Sequence, residues 1–422
     1  MREIRLPFGQ ETLPLHLPDG MVVQEIEAKC IEPGKTEQEI VREALEHPIG
    51  SPSLKELTRS AKKILIITDD NTRPMPSRIT LPLILNSFDR PADQYEVTIL
   101  IATGLHRSMT SQEQEEQLGE EICRNYRVLN HNARDGGQLI SLGKMSTGNE
   151  LVVNRVLKEQ DLILAEGFIE AHFFAGFSGG RKSILPGVSG EATILRNHNP
   201  HNIADRHSRG ACLEGNLIHQ ECCEAARLAG LGFILNVALN ERKQIVAAFA
   251  GDPAEAHERG CEYVKNTMSV PVRRTDIVIT TNNGYPLDRN LYQVVKGIEV
   301  AGQAVKKGGV IVIAAECRDG IGHEGFSRLL ASCCSPEELY EKMSAYPVEV
   351  DKWQVQILAR VLKDTHVILV NRSIDTEVLK SIFLEQAPDL DAGLAMAMRL
   401  TGPEAAVSIM PEGPVMIPVA ED

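Results

Sequence analysis

Short apolar runs without polar alternation recur along the chain, separated by stretches in which apolar residues return every three or four positions. Ile64–Thr68 (ILIIT), Val97–Ala102 (VTILIA), Leu162–Ala165 and Phe233–Leu239 are such runs. A strand that is apolar at successive positions is buried on both faces, as in a parallel sheet covered by helices. Each run gives way to polar or glycine-rich residues and then to a helical pattern, the order of an α/β fold. Near Ser269-Val-Pro-Val the pattern restarts, with a strand at Ile277–Thr280, a loop at 282–286 and a helix over 290–307. A strand at Val310–Ala314 follows, then helices at Glu337–Ser344 and after Trp353, and a strand at Val367–Val370. The pattern predicts two α/β domains, 1–270 and 271–422, with mainly parallel sheets flanked by helices. With no long linker between them, they are expected to pack closely and share a cleft. Residues 2–17 read as a small hairpin, counted with the first domain. Ligands of open parallel sheets bind beyond the carboxyl ends of the strands, so the loops after Thr68, Ala102, Ala165 and Thr280 are where chemistry is expected.

Composition narrows the function. Lys+Arg 44 against Asp+Glu 58 leaves a net charge of −14, which disfavours nucleic acid and anionic membrane surfaces as partners. No apolar run approaches the roughly 18–20 residues of a membrane span, and the first residues lack the apolar core of a signal peptide. Nine cysteines, an odd number without a CxxC pair, fit a reducing compartment and count against a zinc knuckle. A cytoplasmic location is expected.

Five segments carry candidate chemistry. Asp69-Asp70-Asn71-Thr72-Arg73-Pro74 reads either as a turn with a helix cap or as a loop binding a ribose, phosphate or carboxylate. Thr103-Gly104-Leu105-His106-Arg107 places a histidine just past a strand end, where it is either structural or an acid–base group. The densest block is Glu166 to Gly187, with His172 and four glycines (Gly176, Gly179, Gly180, Gly187) around Arg181, Lys182 and Ser183. Glycines admit an anion to backbone amides, and cations neutralise it. The block is not a P-loop, because Arg181 separates the glycine from Lys182. A lysine in this setting is also a nucleophile able to carry a covalent group. His198, His201, His207 and His219 follow, without any paired zinc spacing. In the second half, Tyr292 or Gln293 shares a helical face with Lys296, either as solvated surface or as a carboxylate site, and the single Trp353 reads as core or interface.

Taken together, DDNTRP at 69–74, TGLHR at 103–107, EAHFFAGFSGGRKSILPG at 170–187, His198, NNGYPLDRNLYQVVKG at 282–297 and the segment from His323 to Phe326 resemble the nickel-dependent lactate racemase family over almost the whole chain. The resemblance implies a two-domain α/β enzyme with its active site in the interdomain cleft. It implies a nickel-pincer nucleotide, pyridinium-3-thioamide-5-thiocarboxylic acid mononucleotide, joined covalently to the position of Lys182 with nickel held by His198. It implies His106 and His172 as acid–base residues, and Asp70, Thr72 and Arg73 around the cofactor. Arg73, Tyr292, Gln293, Lys296 and Trp353 fall at substrate positions. The implied partners are a small 2-hydroxy acid and the proteins that build the cofactor and insert its nickel. The implied reaction is racemisation or epimerisation by reversible hydride transfer. Two other readings compete: a 2-hydroxy acid oxidoreductase with a dissociable nucleotide, against which the lack of GxGxxG counts, and a nickel or nucleotide carrier, which would need no acid–base pair.

Overall fold

The computed structural model describes residues 2–27 and 31–421. The chain divides into two compact units, and a single cut near 270 does not describe them. One unit comprises residues 31–198 and 205–267; the other comprises 2–27, 199–204 and 268–421. Each holds a six-stranded sheet.

In the first unit the strand order is Ile245–Gly251, Leu231–Leu239, Leu162–Phe168, Lys63–Asp69, Glu96–Ala102, Arg127–Asn130, parallel except for the first pair. Ile64 to Ile67 are 0% exposed, as expected of a central strand covered on both faces. Asp69 pairs with Ala102 and Ile67 with Ala165, so the loops after all three strands leave from the same edge. The helix that returns from the second of these loops, Ser111–Leu118, starts with a capping box between Thr110 and Glu113.

The second unit holds an all-parallel sheet in the order Glu385–Ala387, His366–Val370, Val305–Ala314, Thr275–Thr281, Val407–Met410, Val23–Glu25. The predicted hairpin exists, as Arg2–Phe8 paired with Glu11–Leu17. It belongs here and not with the first half: Leu6, Leu13, Leu15 and Leu17 join the core of Ile277, Ile279, Val310 and Val312. Burying each such leucine contributes roughly 1.5–3 kcal/mol, and that burial fixes the hairpin's home. The eight cysteines of the described residues are unpaired. Among the described residues no helix is long and apolar enough to cross a membrane.

Candidate active site

The loop after Lys63–Asp69 sets two adjacent carboxylates against each other. Asp70 is 3% exposed and accepts the Thr72 backbone N–H at 3.1 Å and hydroxyl at 2.5 Å through one oxygen. Its other oxygen lies 2.7 Å from Nδ1 of His106. Burial alone would push this carboxyl up, but hydrogen bonds from His106 and Thr72 and the charges of His106 and Arg73 hold it below its ordinary value. Asp69 goes the other way. Burial, then the neighbouring charges of Asp70 and Glu166, push it up to about 7 against the pull of Arg73. Glu166 beneath them accepts the hydroxyls of Thr68 at 2.7 Å and Thr80 at 2.5 Å. The segment is therefore both a turn, with Arg73 N–H donating to Asp70 O at 3.1 Å, and a charged cluster.

His106 closes a turn on Thr103 and keeps 36% of its side chain exposed. Because Asp70 is ionised, His106 donates from Nδ1, which leaves Nε2 as the basic nitrogen. Arg107 is turned away from this pair, bidentate on Glu113 at 2.8 and 2.5 Å.

The glycine-rich block departs from the anion cradle expected of it. Gly179 and Gly180 have φ of +73° and +53°, and a Cβ on Gly180 would lie 2.7 Å from the His257 ring. On Gly187 a Cβ would meet Ser183 O at 2.3 Å. These glycines serve close packing, and Arg181 is 2% exposed with its donors spent on the protein itself. The two cations of the block thus separate in role, since Lys182 projects elsewhere.

Phe174, 3% exposed, is the hub of the remaining groups. Its ring centroid lies 4.5 Å from that of His172, 4.9 Å from that of His198 and 5.5 Å from Lys182 Nζ. His172 is 6% exposed, stacks on Phe173 at 4.9 Å, and accepts the Ala175 N–H at Nδ1 at 3.3 Å. Its neutral form therefore carries its proton on Nε2, the opposite of His106. His198 caps the helix Glu191–Asn197; burial and the charge of Lys182 push it down to about 3, so its imidazole is a neutral donor. The His106 loop is tied to the Lys182 segment by Gly104 N–H donating to Gly187 O at 2.9 Å. A second tie, invisible in the sequence, is buried His131, with Nε2 2.9 Å from Ser189 O. Of the other histidines, His207 pairs with Asp205 at 2.9 Å and His219 binds Arg181.

In the second unit, Asn290 caps the helix Leu291–Ala304 by accepting the Gln293 N–H. Tyr292, Gln293 and Lys296 lie half-buried along its first turns. The Tyr292 ring sits 4.3 Å from that of His323, which is itself 3.0 Å from Asp351. Trp353, 8% exposed, lies at the start of Lys352–Leu362.

The two halves of the chain match the descriptions "Lactate racemase N-terminal domain" over residues 8–210 and "Lactate racemase C-terminal domain" over 270–418. The lactate racemase of Thermoanaerobacterium thermosaccharolyticum is 42% identical over 418 residues, 98% of each chain. That of Lactiplantibacillus plantarum is 40% identical over 420 residues, covering 98% of this chain and 99% of the relative. The apoprotein structure of the Thermoanaerobacterium enzyme superposes with a TM-score of 0.95, covering 99% of this chain and 100% of that one. A Thermotoga maritima protein at 17% identity and TM-score 0.67, covering 93% and 100%, shares the fold. The chain belongs to the lactate racemase family, a family of isomerases.

Proposed function

We propose that this chain racemises lactate or a closely related 2-hydroxy acid, with His106 and His172 as the two proton-handling residues. The observation that carries the reading is the Phe174 hub, one ring touching His172, His198 and Lys182. The residues fit the cofactor the family implies. His198 offers a neutral imidazole, while among the described residues no three His, Cys, Asp or Glu side chains converge to hold a metal. A metal held by one imidazole must draw its other donors from a bound group, which suits a nickel carried by a pincer nucleotide. Lys182 would anchor that group, Asp70, Thr72 and Arg73 would flank it, and His198 would ligate its nickel. When bound, it supplies the acceptor and donor that let the Cα hydrogen leave and return as hydride.

The protein's part is to hold the carboxylate and move the hydroxyl proton. Inversion at Cα presents the hydroxyl on opposite sides in the two enantiomers, so one group is needed for each. His106 Nε2, left with its lone pair free by the Asp70 contact at Nδ1, takes the proton from one. His172, with its proton on Nε2 because Nδ1 is bound by Ala175, returns one from the other side. For the reverse direction the two exchange protonation states and roles. The guanidinium of Arg73 suits a carboxylate, and so do the polar heads of Gln293 and Lys296 on the helix Leu291–Ala304. The test is a chiral assay of cofactor-loaded protein with each enantiomer of lactate and of larger 2-hydroxy acids. Equal rates of approach to a racemic mixture from both sides are expected. A net production of 2-oxo acid would replace the racemase by an oxidoreductase.

A further inference from the structure

Arg181 is a buried guanidinium bound by carbonyls and imidazoles. Its Nη2 donates to Ala175 O at 2.8 Å, and its Nη1 reaches Ser178 O and Gly179 O, both at 3.2 Å. Its Nε donates to Nδ1 of His219 at 3.0 Å, and Nη1 lies 2.8 Å from Nε2 of His257. Among the described residues no carboxylate lies within ion-pair distance of it. A buried charge must be matched by acceptors. Guanidinium only donates, so His219 Nδ1 must offer a lone pair, and His257 accepts in the tautomer that leaves its Nε2 unprotonated. For His257 this puts the ring proton on Nδ1, beside Cys261 Sγ at 3.6 Å. Ser178 O, 2.9 Å from Nε2, then takes its hydrogen bond from the arginine instead. Burial and the arginine's charge keep both rings neutral, His219 pushed down to about 4 and His257 well below its ordinary value. The fit is steric as well, since Gly180 can carry no Cβ against the His257 ring and its N–H donates to Asn236 Oδ1 at 2.9 Å.

We propose that Arg181, clamped by the neutral imidazoles of His219 and His257, is the positioning residue for Lys182: by tying the carbonyls of Ala175, Ser178 and Gly179 together, it fixes the backbone from which Lys182 projects toward Phe174. The inference rests on the assignment of Lys182 as the cofactor anchor. The three carbonyls lie between His172 and Lys182 in sequence, so one planar fork holds both ends of the block in register. Lysine has no such fork and cannot satisfy all five contacts. The histidines at 219 and 257 are thereby assigned to the guanidinium and not to a metal.

The test uses two readouts on Arg181→Met, Arg181→Lys, the double variant His219→Leu/His257→Leu, and the matching double glutamine variant, whose amide oxygens can accept the same N–H groups. The first readout is the fraction of protein carrying a covalent cofactor adduct at Lys182 after co-expression with the cofactor-building proteins, by peptide mass. The second is the acetylation rate of Lys182 in apoprotein by an N-hydroxysuccinimide ester, relative to exposed Lys55. Arg181→Met and the double leucine variant are expected to lower the adduct about tenfold or more and to change the Lys182/Lys55 rate ratio, with Arg181→Lys intermediate and the glutamine pair restoring most of both. Unchanged adduct and rate ratio in Arg181→Met, or glutamines no better than leucines, overturn the proposal. If wild-type protein carries its adduct elsewhere, the anchor assignment fails, and the rate ratio alone still decides whether Arg181 positions Lys182.

Discussion

The two histidines proposed to share one reaction sit in opposite surroundings. His106 stands on a short turn, more than a third exposed, backed by an ionised carboxylate and a run of polar residues. His172 is buried between two phenylalanine rings, with a peptide N–H at its Nδ1. A carboxylate at Nδ1 makes His106 donate there and frees Nε2 as a base; a peptide N–H at Nδ1 makes His172 accept there and loads Nε2 with a proton. Two imidazoles with opposite tautomers form a complementary donor and acceptor before any substrate arrives. The difference comes from backing groups that lie in different loops, and neither is a property of histidine itself.

Acid separates the two corners most strongly. His131, His198, His219 and His257 are buried with folded pKa values below the ordinary 6.5. The unfolded chain therefore binds their protons first, so the penalty is absent above about 6.5 and grows as the pH falls toward the folded values. Asp69, protonated near 7 when folded, offsets one of the four. Glu166, also pushed up by burial, offsets part of another, so between pH 6 and 5 the first unit should lose stability as the pH falls, by about 1.4 kcal/mol per pH unit for each net proton taken up on unfolding. Urea midpoints across that range measure it, and a slope below one proton would show that the buried corner is not held neutral.

Next in size is the loss of either ring. His106→Ala and His172→Ala should each slow racemisation by about 10²–10⁴-fold, with single-turnover reaction surviving for opposite enantiomers. Loss of the same enantiomer in both would collapse the comparison. Asp70→Asn sharpens it, because the amide can donate to Nδ1 and move the His106 proton to Nε2. A fall of about 10–100-fold is expected, concentrated on the enantiomer His106 serves, as read by chiral chromatography. Phe174→Leu attacks the other corner and should cost about 1–2 kcal/mol of stability while lowering cofactor occupancy at Lys182 by mass. The smallest effect belongs to Thr72→Val. It removes one donor to Asp70, so the acid limb of the rate profile moves to higher pH and the rate falls less than about fivefold.

The strands and their order of appearance were legible in the sequence, because a run such as Ile64–Thr68 is too continuously apolar to lie anywhere but inside a covered parallel sheet. The motif residues also stood out, since unusual polar types crowd the loops after these strands. Which sheet the hairpin at 2–17 joins was not legible, because its alternation reveals one apolar face without saying what covers it. The roles of the glycines and of Arg181 were misleading in isolation, for a glycine beside a cation reads the same whether an anion or the protein's own carbonyls fill the space. Only the tertiary structure brought His219 and His257 to the guanidinium, from 38 and 76 residues away. Sequence by itself determined local propensity and residue type, which depend on near neighbours. Burial, tautomer and protonation depend on what distant segments place within about 4 Å, and so were decided only by the fold.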